Sequence, residues 1–221
     1  MKPLTLKIYG VLRSRASRPV WMAKELGIPY EHVPVIQNYR LSNAAAADGL
    51  LNTQSPEFLA VNPNGLVPTI DDDGFVLNES LAITLYLARK HGGPAAPRDV
   101  REEGQMTMWT LWAATECEMP ALRAMQNGPS VKTRDLAVFD ASVAALKPRF
   151  AVLDKALREG GGHLVGGRFT VADLNVAEII RYAQAAPELF TDASAVQGWI
   201  TACQARPAFV EMMTERNKEP M

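Results

Sequence analysis

The stretch Phe58–Arg89, FLAVNPNGLVPTIDDDGFVLNESLAITLYLAR, decides the fold. Asn62-Pro63-Asn64-Gly65 is a turn cluster, because proline presets φ while Asn and Gly tolerate the left-handed region. Leu66 to Ile70 reads as a short apolar strand with a proline inside it. Proline gives no N–H to a ladder, so Pro68 implies either an edge strand or a cis bond that turns the Val67 backbone outward. Asp72-Asp73-Gly74 reads as a hairpin turn into a second strand, Phe75–Leu77. Asn78-Glu79-Ser80 ends that strand and caps an amphipathic helix over Leu81–Lys90.

Working back towards the start, Tyr30–Val35 reads as a strand. Leu4–Tyr9 alternates and reads as the first strand. Between them lies a serine-rich loop, Gly10–Ser17, and a helix with Val20, Trp21, Ala23 and Leu26 on its apolar side, stopped by Gly27. Pro19 belongs in the first turn of that helix, where a missing N–H does little harm. Strand–helix–strand order implies parallel pairing with a right-handed crossover. Asn38–Gln54 is polar and alanine-rich, and reads as a helix-and-loop segment over the site.

Working forward, His91–Pro97 is rich in helix breakers and reads as a linker. Asp99 caps a long helix, with Glu102 as its capping-box partner. Met106, Trp109, Trp112 or Ala113, and Glu116 recur at helical spacing, and Pro120 should kink or end the helix. A second long helix is expected from about Lys132 to Arg158, striped by Leu146, Phe150, Leu153 and Leu157 and bent at Pro148. Thr170 and Asp173 form a short capping box, with Phe169 stapled onto Leu174. Helices near 175–186 and 194–204 complete an all-α half.

A chain of 221 residues exceeds the ~150-residue prior for one domain. Its 48% hydrophobic and 21% charged content is that of an ordinary globular protein. A net charge of −1 argues against a general nucleic-acid binder. No run approaches the ~18 apolar residues of a membrane span. No signal-peptide pattern is visible, which implies a cytoplasmic protein. Cys117 and Cys203 match no zinc or CxxC spacing, and two sparse cysteines suit a reducing compartment as buried apolar thiols. His32, His91 and His163 stand at no metal or triad spacing, so no metal is expected.

The ordered set N-P-x-G-x-V-P, D-G and E-S, followed by an amphipathic helix, resembles the glutathione-binding half of the cytosolic glutathione S-transferase family. The helix ending ELGIPYEHVPV before it and RFTVADLNVAEI after it extend the resemblance over about residues 4 to 210. The resemblance is to a bacterial, serine-type member, and the loop YGVLRSRAS is similar to that of the zeta-like branch. It implies an N-terminal α/β thioredoxin-like domain, 1–91, with a mixed four-stranded sheet and helices. A linker, 92–98, and an all-helical C-terminal bundle, 99–221, would follow. Such proteins are enzymes of detoxification that use glutathione as co-substrate, with no metal and no covalent enzyme intermediate. Members usually form homodimers.

The resemblance also assigns roles. A free thiol has a pKa of ~8.5, so a hydroxyl donor near a helix N-terminus is needed to hold glutathione as thiolate. By family spacing that donor is Ser14. Ser17 competes, because Pro19 shifts the expected helix start, and Tyr9 is a weaker third. Glu79 and Ser80 would hold the γ-glutamyl group at a helix start. Val67, ahead of a cis Pro68, would pair with the cysteinyl backbone. Asn52, Thr53 and Gln54 are candidates for the glycyl carboxylate, since no Lys, His or Arg lies between Arg40 and Arg89. Arg13, Arg15 and Arg18 are cations that could compensate. Trp109, Trp112, Glu116 and Met119 are candidates for the pocket of a small apolar electrophile. The alternatives are a glutathione-dependent isomerase, dehalogenase or peroxidase, and a non-enzymatic binding or regulatory protein of the same fold. The zeta-like isomerases carry a cysteine where this chain has Ala16. An omega-type reductase would carry one at Ser14.

Overall fold

A computed structural model describes residues 6–41 and 51–219. Leu4 and Thr5 of the expected first strand, and residues 42–50 of the Asn38–Gln54 segment, lie outside the described residues. The chain divides into two compact units, residues 1–91 with 207–221, and residues 92–206.

The first unit opens with β1 (Leu6–Tyr9), α1 (Ser17–Leu26), β2 (Tyr30–Val33) and β3 (Val35–Ile36). After a single 3-10 turn at Asn38–Arg40 come β4 (Leu51–Asn52), α2 (Pro56–Val61), β5 (Thr69–Asp72), β6 (Phe75–Asn78) and α3 (Ser80–His91). The second unit holds α4 (Val100–Trp112), a π-helical turn (Ala113–Cys117), α5 (Glu118–Gln126) and α6 (Leu136–Glu159). It continues with α7 (Val171–Ile180), a 3-10 turn (Arg181–Ala185), α8 (Glu188–Thr191) and α9 (Ser194–Gln204). The chain then returns to the first unit as α10 (Pro207–Lys218). The expected all-α domain 99–221 therefore differs from the observed division at its end, where the last helix belongs with the sheet.

The sheet of the first unit runs β2-β1-β5-β6. β1 and β2 are parallel, with Leu6 opposite Tyr30. β5 is antiparallel to β1, Ile8 facing Ile70, and antiparallel to β6, Asp72 facing Phe75. This is the mixed, thioredoxin-like arrangement expected. A small parallel pair, β3 with β4, lies apart from it. β5 is an interior strand, so the edge-strand alternative for Pro68 fails. The Val67–Pro68 bond is cis and precedes the strand.

Side chains alternate across β1. Leu6 and Ile8 face one way, and Tyr9 faces the other, where it meets Phe58 of α2 with ring centroids 6.1 Å apart. Val35 joins that cluster, with Val33, Leu51, Val61 and Val67 packed around it. Tyr9 is thus a packing residue. α1 packs on α3 and α10. Trp21, wholly buried, meets Phe209 edge-on at 4.8 Å. Lys24 pairs with Glu215 and Glu211 of α10, at 2.8 and 3.6 Å.

The turn before β5 is organised by Asn62, which is 1% exposed. Its amide nitrogen donates to the Leu66 carbonyl at 2.8 Å and to Thr69 Oγ1 at 3.0 Å. Its side-chain oxygen accepts the Asn64 N–H at 3.1 Å. One buried amide therefore fixes the approach to the cis bond.

In the second unit, α4 does not stop at Pro120. The π turn at 113–117 lies just ahead of it and re-phases the backbone, so that Pro120 falls in the first turn of α5, where proline is tolerated. Leu146, Phe150, Leu153 and Leu157 form the buried stripe of α6 as expected. The Thr170–Asp173 capping box is present. Asp173 is fully buried and also accepts from Trp199 Nε1 at 3.0 Å and the Leu164 N–H at 3.1 Å.

Glu102 departs from its expected role. Its carboxylate accepts the Arg98 N–H, not that of Asp99, and pairs with both terminal nitrogens of Arg168 at 2.7 and 2.9 Å. Arg168 also donates to the Pro94 and Ala96 carbonyls. The Arg168 hydrogen bonds hold the Glu102 carboxyl down at about 2, against an ordinary 4.5.

Two outcomes are expected. Asn62→Ala should lower stability by roughly 2 kcal/mol, since it removes three hydrogen bonds of a buried amide and leaves Thr69 Oγ1 and the Leu66 carbonyl with their mutual bond at 3.3 Å, as read by urea unfolding. Arg168→Ala should lower it by about 2 kcal/mol at pH 7. A depressed folded-state pKa stabilises fully above the unfolded value and is lost as pH falls through the folded one. The wild type should therefore lose this contribution between pH 4.5 and about 2, and the variant, having no such contribution, should show a shallower acid decline there.

Candidate active site

The loop from β1 to α1 carries Ser14. The Ser14 Oγ–H donates to the Val11 carbonyl at 2.6 Å, and the same oxygen accepts the Ala16 N–H at 3.1 Å. A hydroxyl that accepts one hydrogen bond becomes a better donor in another. Ser14 is half-buried, whereas Ser17 is fully buried as the first residue of α1. Ala16 stands at the N-cap and supplies no side-chain cap.

Gly10 lets the neighbouring strand end come close. Its φ is +130°, and a Cβ there would lie 3.0 Å from the Cβ atoms of both Ala16 and Val67. Only glycine fits that conformation and that gap. The serine loop and the Val67–Pro68 segment thus lie against each other. His32 Nε2 sits 2.7 Å from the Gly10 carbonyl and holds the same corner from β2.

Ser80, 4% exposed, opens α3 and accepts a hydrogen bond from Arg18 Nη1 at 3.0 Å. Arg18 is 1% exposed. It is a buried cation at a helix start. A guanidinium in the apolar first turn of α1, just ahead of Val20 and Trp21, was the available signal. Glu79 has φ +67° and its carbonyl takes the first α3 hydrogen bond, from Ile83. A non-glycine residue in the left-handed region stores strain, and such residues gather at binding sites. Its side chain is exposed beside the buried Ser80.

Of the glycyl candidates, Asn52 Oδ1 accepts the Gln54 N–H and Thr53 Oγ1 accepts the Asn38 N–H, so both are engaged locally. Gln54 is exposed. In the second unit, Trp109 and Trp112 are half-buried and stack edge to face at 5.1 Å. Glu116 is exposed and pairs with Arg149 at 2.8 Å. It lines a groove of about 330 Å³ with Pro120, Arg123 and Ser142, and the two tryptophans are not in that lining. Met119 is 53% exposed. Burial pushes the Cys117 thiol up to about 12, which makes it inert, and neither cysteine forms a disulfide.

The first unit therefore brings three features together. These are a hydroxyl on a loop, an extended backbone beside that loop, and a helix start with a buried cation behind its serine. Hydroxyl, helix N–H groups and guanidinium all favour anions.

Residues 14–90 match the family model for the glutathione S-transferase N-terminal domain, and residues 113–207 that for its C-terminal domain. The chain is similar to mouse (Mus musculus) glutathione S-transferase theta-3, 29% identical over 88% of this chain and 80% of that one. It is also similar to glutathione S-transferase GstB of Escherichia coli K12, 29% identical over 84% and 86%. Among solved structures, the theta-class enzyme of Xanthomonas axonopodis pv. citri with glutathione bound superposes with a TM-score of 0.77, at 26% identity over 94% of this chain and 96% of that one. The mouse and Xanthomonas relatives are of the theta class, whereas the serine loop alone resembles the zeta-like branch. With both domain models matched in order, the chain belongs to the glutathione S-transferase family of transferase enzymes.

Proposed function

We propose that this chain binds glutathione in its first unit and uses Ser14 to hold the thiolate for attack on a small apolar electrophile. The observation that carries this is the Ser14 hydroxyl. It is half-buried, polarised by the Ala16 N–H, and donates to a neutral carbonyl. A thiolate is a stronger acceptor than a carbonyl, so the proton can turn to it without moving the loop. The full burial of Ser17 favours Ser14 over it.

The remaining assignments follow the same logic. Ser80 and the α3 N–H groups receive the γ-glutamyl carboxylate, with Arg18 adding positive charge behind Ser80. Glu79 accepts from the γ-glutamyl amine. Val67, ahead of Pro68, pairs with the cysteinyl backbone in extended fashion. Gln54, with Asn52 and Thr53, serves the glycyl carboxylate. Trp109, Trp112 and Glu116 contribute to the electrophile pocket. The protein works as a cytoplasmic homodimer. The Xanthomonas relative is described with glutathione bound, which supports the choice of thiol.

The test is a thiolate absorbance titration of bound glutathione. A hydrogen bond to a charged group is worth about 1.5–3 kcal/mol, or roughly one to two pKa units. Ser14→Ala should return the bound thiol towards ~8.5 and cut kcat/KM at pH 6.5 by about 10- to 100-fold. Because the lost function is ionisation, the variant's rate should climb with pH up to that value. A Ser17→Ala variant that titrates like Ser14→Ala, or a wild type that does not bind glutathione, would defeat the proposal.

A further inference from the structure

Glu219, the residue after α10, reaches back 207 positions to the serine loop. Its carboxylate accepts the Leu12 N–H at 2.8 Å through one oxygen and the Arg13 N–H at 3.0 Å through the other. The Arg13 Nε in turn donates to the Glu219 carbonyl at 3.2 Å. Three bonds thus join one residue to two neighbours directly ahead of Ser14.

Leu12 is 1% exposed, so its N–H has little access to water as a substitute partner. Gly10 and Val11 donate to the Val33 and Val35 carbonyls, and the turn at Ser14 closes on the Val11 carbonyl. Between those anchors, residues 12 and 13 are held by Glu219. The helix that delivers it is itself packed on α1, with Phe209 against Trp21. α1 begins three residues after Ser14. α10 and the residue after it therefore brace α1 and the middle of the serine loop.

We infer that Glu219 is a positioning residue for Ser14, its carboxylate clamping the Leu12 and Arg13 amides so that the Ser14 hydroxyl is presented to the thiol. It acts through the loop and touches no substrate. The inference rests on the Ser14 reading above and adds an element from the far end of the chain. A bidentate carboxylate fits two parallel N–H donors, as it fits a guanidinium fork. A carboxamide offers one oxygen and keeps half of the clamp, while a methyl group keeps none.

The experiment compares wild type, Glu219→Gln, Glu219→Ala and Glu215→Gln in the full chain. Four quantities are read. They are the thiol pKa of bound glutathione, kcat with an aryl halide electrophile, affinity for S-methylglutathione, and amide exchange at Leu12 and Arg13. Glu219→Ala should raise the thiol pKa by about one unit and lower kcat near neutrality by about three- to eightfold. S-methylglutathione has no thiol to ionise, and its affinity should stay within about threefold. Exchange at the two amides should quicken by about tenfold or more, with Ile8 unchanged. Glu219→Gln should fall between. Glu215→Gln, which loosens a surface ion pair of the same helix, should match wild type.

The inference is overturned if Glu219→Ala titrates and turns over like wild type, or if its thiol pKa falls. It is equally overturned if S-methylglutathione affinity drops in step with kcat, or if Glu215→Gln reproduces the effect. The last two outcomes mark general damage to the site or to the helix. A wild type that fails to bind glutathione sinks the underlying function as well. That failure is read before any variant and so cannot be confused with the others.

Discussion

A guanidinium sealed between α1 and α3 sets the terms for the first unit. Arg18 is 1% exposed and reaches Ser80. Burying a charge costs several kcal/mol unless hydrogen bonds and opposite charge compensate. That cost is tolerated where a fold needs a fixed positive potential. Here it stands behind the first residue of α3, where helix N–H groups already favour an anion. The strain at Glu79, φ +67°, belongs to the same corner. A left-handed residue at the helix entry turns its own side chain outward while the next one, Ser80, is buried.

The loop on the other side of the site is built by close approach rather than by charge. Gly10 has no side chain, so Val67 and Ala16 can both come within van der Waals range of it. Asn62 fixes the far end of the Val67 segment from within the turn that precedes it. α10, arriving from the end of the chain, closes on α1 and on residues 12 and 13. The site is therefore assembled from contacts between segments far apart in sequence. Each depends on groups (a glycine, an amide, a carboxylate) whose role cannot be guessed from their own neighbours.

This explains what the sequence made legible. Periodicity and turn chemistry are local, and they located β1, α1, β2, β5, β6 and α3 to within a few residues. The Thr170–Asp173 box and the α6 stripe were equally plain. The short α2 was overlooked, although Ser55-Pro56-Glu57 is a helix start with proline in the first turn and an acid beside it. α10 was overlooked because PAFVEMMTERNK has a weak apolar stripe, of which only Phe209 and Met212 are buried. Pro120 signals a kink or an end in the sequence, but the π turn that moves it into a new first turn leaves no signature in residue types. The sequence marks Arg18 as a cation that could serve the site but not as a buried one, because its burial depends on a partner sixty-two positions away. Glu102 was assigned to a cap that the sequence pattern fits. A tertiary partner, Arg168, took the carboxylate instead.

The absence of Lys, His and Arg between Arg40 and Arg89 bears on how such a site would hold an anion. Exposed cations attract from a distance and are screened within about 8 Å at physiological salt. A buried guanidinium and helix N–H groups are screened far less, and they act over a hydrogen bond's length. The charge that Arg18 supplies is of the second kind, and Asn52–Gln54 offers only neutral amides and a hydroxyl. A site so built draws its specificity from geometry more than from net charge. That is consistent with a chain whose overall charge is −1 and in which one of the two loop cations, Arg13, donates to the Glu219 carbonyl.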